Sequence, residues 1–100
     1  MDFVFEVNDK TGREIRLTSR QWKHILDHGD VDVEDLENVK NALVSPSSLL
    51  MQNLDENKGN YYLYKKEKRK YLMVVVKYLN GTGFVITSFY VKSIKNEKQY

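Results

Sequence analysis

The pattern of apolar and polar positions divides the chain at Pro46, its single proline. Before it, residues 2–7 (Asp-Phe-Val-Phe-Glu-Val) and 13–17 (Arg-Glu-Ile-Arg-Leu) read as two short strands. They flank Asn8-Asp9-Lys10-Thr11-Gly12, a hairpin loop built from residues that tolerate turn dihedrals. Thr18 followed by Gln21 matches a capping box, and Trp22, Ile25 and Leu26 then recur at helical spacing. A first helix is predicted at about 19–28, stopped by Gly29. A second is predicted at about 32–44, with Asp32, Glu34, Asp35 and Glu37 at its positive end and Val33, Leu36, Val39 and Leu43 as its buried stripe.

After Pro46, which permits little helix beyond it, β-branched and aromatic runs appear at strand length: Leu49–Met51, Tyr61–Lys66, Tyr71–Tyr78 and Phe84–Lys92. The breaks are Asp55–Asn60, the charged run Lys65–Lys70, and Asn80–Gly83. All are too short for parallel crossovers, so an antiparallel meander is expected. The predicted fold is α+β, a single domain over 1–100. An N-terminal hairpin and two helices pack on a four-stranded antiparallel sheet, with the helices on one face.

Composition narrows the chemistry. The chain has no cysteine, which excludes disulfides, a thiol nucleophile and Cys-based metal sites, and fits a reducing, cytoplasmic setting. The longest apolar run, Leu72–Val76, is far short of a membrane span, so no membrane partner is expected, and the first residues show no secretory signal. The net charge of +2 hides an asymmetry. Residues 1–50 carry six Lys/Arg against ten Asp/Glu, and residues 51–100 carry ten against four. A basic half favours a polyanionic partner.

Both histidines lie on the first helix, in His24-Ile-Leu-Asp-His28. Four residues apart, they stand about 40° apart on the helical wheel, and Arg20 lies about 40° beyond His24. Trp22, Ile25 and Leu26 occupy a different side. The polar stripe suits proton transfer beside an anion, because histidine titrates near neutral pH; from spacing alone, two surface or edge histidines are the commoner case. A zinc site is disfavoured, since Ile25 follows His24 where a metalloprotease needs Glu and no third histidine exists. No cofactor is expected.

Lys65-Lys66-Glu67-Lys68-Arg69-Lys70 places five cations in six residues, with Tyr61, Tyr62, Tyr64 and Tyr71 on the flanking strands. That suits RNA phosphates and base stacking, or simply a solvated turn that blunts aggregation. Lys77 interrupts an apolar strand. With a two- or four-residue loop after it, strand alternation puts Lys77, Ser88 and Tyr90 on one face; a three-residue loop favours Thr87 instead.

Arg20-Gln-Trp22-Lys-His24-Ile-Leu-Asp-His28, the helical part ending before Val44-Ser-Pro46, the Val-Val-Lys77 strand and Val85-Ile-Thr87-Ser-Phe-Tyr90 together resemble small phage-type nucleases of the barnase–EndoU–colicin–RelE superfamily, over about residues 15–95. The resemblance implies a metal-independent ribonuclease of toxin type. His24 and His28 would be the acid and base, with Arg20 and Lys77 as phosphate clamps. Ser88 or Thr87, and Tyr90, would bind the phosphate or orient the base. Its partners would be RNA and an acidic antitoxin or immunity protein. The alternative is a noncatalytic RNA- or protein-binding module on the same fold.

Overall fold

The computed structural model describes residues 3–52 and 55–94. Its elements are β1 (Phe3–Asn8), β2 (Glu14–Thr18), α1 (Ser19–Asp27), a 3₁₀ turn (Val33–Asp35), α2 (Leu36–Val44), β3 (Ser48–Gln52), β4 (Asp55–Lys65), β5 (Lys70–Leu79) and β6 (Thr82–Val91). The class is α+β, as the pattern predicts, but the sheet has six strands rather than four, in the order β1-β2-β6-β5-β4-β3. β3 to β6 form the expected antiparallel meander. The N-terminal hairpin joins it, because β2 pairs in parallel with β6 through Glu14↔Thr82, Ile15↔Gly83 and Arg16↔Phe84. Ile15 and Leu17 are fully buried, and they reach the core only if their strand extends the sheet beneath the helices.

Two further expectations change. Asp55–Asn60 is no break: it is the first half of β4, paired to β5 as Lys58↔Lys77, Gly59↔Val76 and Asn60↔Val75. Pairing to an apolar neighbour overrides the low strand propensity of these polar residues. Val33 is 67% exposed, so it leaves the buried stripe of the second helix. The helix opens with a 3₁₀ turn, and the residue this turn buries is Asp35. Asp32 caps the turn by accepting from the Glu34 N–H, while Asp35 accepts from the Asp32 N–H. Val39, Ala42 and Leu43 carry the buried side of α2.

Helices and sheet meet in one core. Ile25 of α1 and Val39, Ala42 and Leu43 of α2 pack on Phe5, Ile15, Leu17, Tyr61, Leu72, Val74, Val76, Tyr78, Val85 and Tyr90, which all project from the same side of the sheet. Among the described residues no helix packs on the other side. Register assigns the remaining strand residues to that face, uncovered by helix, with Lys77 opposite Phe84, Val75 opposite Thr87 and Met73 opposite Phe89; Asn60, Tyr62 and Val75 on it are nonetheless buried.

A β-bulge decides the last two of those pairs. The β5–β6 turn is the two-residue Asn80-Gly81, with Gly81 at φ +75°, so alternation from Lys77↔Phe84 alone would put Ser88 and Tyr90 beside Lys77. Between Val76↔Val85 and Val75↔Thr87, however, β6 carries the extra residue Ile86. One extra residue reverses every side chain after it. Thr87 therefore shares the face of Lys77, while Ser88 and Tyr90 turn beneath the helices.

The hairpin is tied to the far side of the sheet by a buried polar chain. Asp9 Oδ1 accepts from Thr11 N–H (2.9 Å), Thr11 Oγ1 (2.7 Å) and Arg13 N–H (2.9 Å). Its Oδ2 accepts from the Tyr61 hydroxyl, which lies 2.7 Å from the Tyr78 hydroxyl. Burial, then the bonds to Asp9 and Tyr78, hold the Tyr61 phenol far above its ordinary pKa, so it remains a donor. The Tyr78 ring lies against the backbone of Gly59, where a Cβ would run into it. Gly59→Ala is accordingly expected to cost about 1–3 kcal/mol by overpacking, read as a lower midpoint in denaturant unfolding with unchanged slope. An unchanged midpoint would show that the ring is free to move aside.

Candidate active site

From Val85 onward β6 has no strand on its β2 side, because their pairing stops at Arg16↔Phe84. α1 and the loop after it take that place. The Thr18 hydroxyl caps α1 by accepting from the Gln21 N–H at 3.1 Å. The Gln21 side chain does not complete the capping box; it donates to the carbonyl of Ile86, the bulge residue. Further along, Asp30 Oδ1 accepts from the Tyr90 N–H at 3.1 Å. The helix thus runs beside the edge of β6 from the bulge toward Tyr90, satisfying backbone groups that a neighbouring strand would otherwise pair.

This placement orients the polar stripe of α1. Turning about the helix axis from buried Ile25, Gln21 comes after about 40°, His28 about 20° further, then His24 and Arg20 at further steps of about 40°. Gln21 points at the β6 edge, and His28, His24 and Arg20 follow on a flank that turns progressively away from the core. All three are exposed. The two imidazole rings lie 4.4 Å apart, centre to centre, inclined at 48°. Thr87 and Lys77 are half-buried on the uncovered face, two residues apart in register, or roughly 7 Å along the strand. A cleft of about 380 Å³ at the β5–β6 turn is lined by Lys77, Arg13 and Asn80 among others.

Two candidates are committed to the fold. Ser88 is 2% exposed and donates its hydroxyl to the Met73 carbonyl at 2.8 Å. Tyr90 is buried and donates to Asp35 Oδ1 at 2.7 Å. The placing of Ser88 and Tyr90 with Lys77 is therefore corrected by the bulge. Burial, reinforced by the bond to Asp35, raises the Tyr90 phenol well above the tyrosine range. Burial alone would raise the Asp35 carboxyl too, but hydrogen bonds from Tyr90, Asn38 and the Asp32 backbone, with Lys68 nearby, hold it below its usual range.

The basic turn is also partly occupied. Lys65 donates to Asn38 Oδ1 at 2.9 Å and pairs with Glu67 at 3.2 Å. Lys68 sits over the Tyr90 ring, 5.1 Å from its centre. Lys66 and Arg69 are exposed and Lys70 half-buried. The acidic and basic halves of the sequence thus interleave here, and these cations do not gather around the histidines.

No family model, curated protein or solved structure matches the chain. Among the described residues no three or more His, Cys, Asp or Glu side chains are grouped to hold a metal ion, and no helix is long and apolar enough to cross a membrane. What the sequence did not reveal are the positioning groups Gln21, Asp30 and Asp35 and the exposed ring of Phe89. Alternation of aromatics along β4 and β5 was the available signal for the aromatic face, but the bulge decides which β6 residues join it.

Because Asp35 titrates low in the fold, it contributes stability above its unfolded pKa, lost as pH falls through the folded value. Tyr90→Phe removes its buried donor and is expected to cost about 1.5–3 kcal/mol near neutral pH. The gap to wild type narrows as the pH drops below the carboxylate range. Unfolding curves across pH test this; a pH-independent gap would assign the loss to packing alone.

Proposed function

We propose that this chain is a metal-independent endoribonuclease of toxin type, with its site where the histidine flank of α1 borders the uncovered sheet face. The observation that carries this reading is the bulge at Ile86, which turns Thr87 toward Lys77 and bonds through its carbonyl to the helix that bears His24 and His28. The ordered motifs resembling the barnase–EndoU–colicin–RelE superfamily support it as well.

RNA cleavage of this kind needs few groups. One histidine takes the proton of the ribose 2′-hydroxyl, whose oxygen attacks the adjacent phosphorus; the other protonates the departing 5′-oxygen. Arg20, Lys77 and the Thr87 hydroxyl stabilise the charge that collects on the phosphorane oxygens. The products are a 2′,3′-cyclic phosphate and a free 5′-hydroxyl, and DNA, lacking the nucleophile, is left intact. Exposed Lys66 and Arg69 extend the path for the RNA backbone. In the cytoplasm, where the substrate is found, an acidic antitoxin or immunity protein would hold such an activity in check by covering the same cations.

The exposed cations of the turn also favour a second reading, a module that binds RNA without cutting it. Incubating the purified protein with single-stranded RNA in EDTA separates the two. Cleavage is expected to persist with chelator and to leave cyclic phosphate ends. His24→Ala, Lys77→Ala and Thr87→Ala should each slow it, by about 10²-fold or more for the histidine. Ser88→Ala, altering a hydroxyl turned away from the site, should stay within a few-fold of wild type. RNA bound but intact after long incubation establishes the second reading instead.

A further inference from the structure

The half of the uncovered face beyond Thr87 carries aromatic rings that neither the core nor the proposed chemistry uses. Phe89 is 38% exposed and Tyr64 46% exposed, while Tyr61, three residues earlier on β4, is fully buried on the helix side. Tyr71 lies between them, its ring edge-on to Tyr64 at 5.1 Å and to buried Tyr62 at 6.4 Å. Register sets Met73 beside Phe89 and Tyr71 beside Tyr64, so Met73 links Phe89 to the tyrosine pair along one face. These rings are held by strand backbone, and the tyrosines also by one another, so little ordering is needed before a flat partner stacks on them.

The charges around this patch select the partner. The turn with exposed Lys66 and Arg69 lies at one end, Lys77 at the other, and the Arg20 flank of α1 along the β6 side. Glu6 and Glu14 of the same face stand at the far β1–β2 edge, and both are paired to Arg16. Flat apolar rings bordered by cations fit unpaired nucleobases joined by phosphates, the arrangement used by sheet platforms for single strands. Double-stranded RNA keeps its bases stacked inside and offers no free ring to such a surface.

Resting on the ribonuclease reading, we infer that Phe89, Tyr71 and Tyr64 form a base-stacking subsite that holds unpaired nucleotides next to the phosphate at Thr87 and Lys77. The substrate is then single-stranded RNA, gripped by its bases on one side of the scissile bond.

The test uses a 2′-O-methyl oligoribonucleotide, which cannot be cut, carrying 2-aminopurine at successive positions. Wild type should bind it and quench 2-aminopurine at the stacked position, and the complementary duplex should bind far more weakly. Phe89→Ala and Tyr64→Ala should each weaken binding by about 5- to 100-fold, and Phe89→Trp should restore it. Both positions are substantially exposed, so circular dichroism and thermal unfolding should match wild type. Unchanged affinity in both alanine variants, equal affinity for duplex, or no binding by wild type overturns the subsite. Cleavage of unmodified RNA indifferent to Phe89→Ala overturns the subsite alone; stacking-dependent binding of RNA that is never cut overturns the ribonuclease reading alone.

Discussion

One extra residue in β6 decides which of its side chains share a face with Lys77. With Ile86 paired in a regular ladder, Lys77↔Phe84 would continue as Val75 opposite Ile86, Val74 opposite Thr87 and Leu72 opposite Phe89, turning Thr87 and Phe89 beneath the helices. The bulge exchanges the two sets. Three polar contacts fix it in place: Gln21 to the Ile86 carbonyl, Asp30 to the Tyr90 N–H, and Asp35 to the Tyr90 hydroxyl. All three come from α1 or the segment after it. The helix that carries the histidines contributes one of these contacts and the segment after it the other two.

That coupling explains what could be read from the chain. The helices, the Thr18 cap and the meander follow from local patterns: apolar residues every three or four positions, then alternation broken by turn residues. The stripe of Arg20, His24 and His28 is a matter of helical spacing and was equally legible. The bulge was not, because nothing in Val85-Ile-Thr-Ser-Phe marks where a strand gains a residue; only the pairing partner does. For the same reason the polar stretch Asp55–Asn60 reads as a loop although β5 draws it into the sheet. The parallel pairing of β2 with β6 depends on contacts nearly seventy residues apart, between Glu14 and Thr82, which no local window contains.

Charge shows the same limit. Along the chain the acidic and basic halves look like separate surfaces, but Lys65 and Lys68 reach back to Asn38, Tyr90 and the neighbourhood of Asp35. Part of the basic run stabilises the packing of the β4–β5 turn against the segment that opens α2. The cations left outward are Lys66 and Arg69 on the turn and Arg20 on the helix, while Lys77 lies on the uncovered face.

The most direct measurement of this arrangement is a side-chain NMR titration with a single-stranded 2′-deoxyoligonucleotide, which cannot be cleaved by 2′-hydroxyl attack. The His24 and His28 imidazole, Thr87 methyl and Lys77 ammonium signals should shift together, with one dissociation constant, while the buried Ser88 and Tyr90 signals stay nearly still. Shifts confined to the Lys65–Lys70 turn, or a histidine response independent of Thr87 and Lys77, would contradict a shared site across the α1–β6 border.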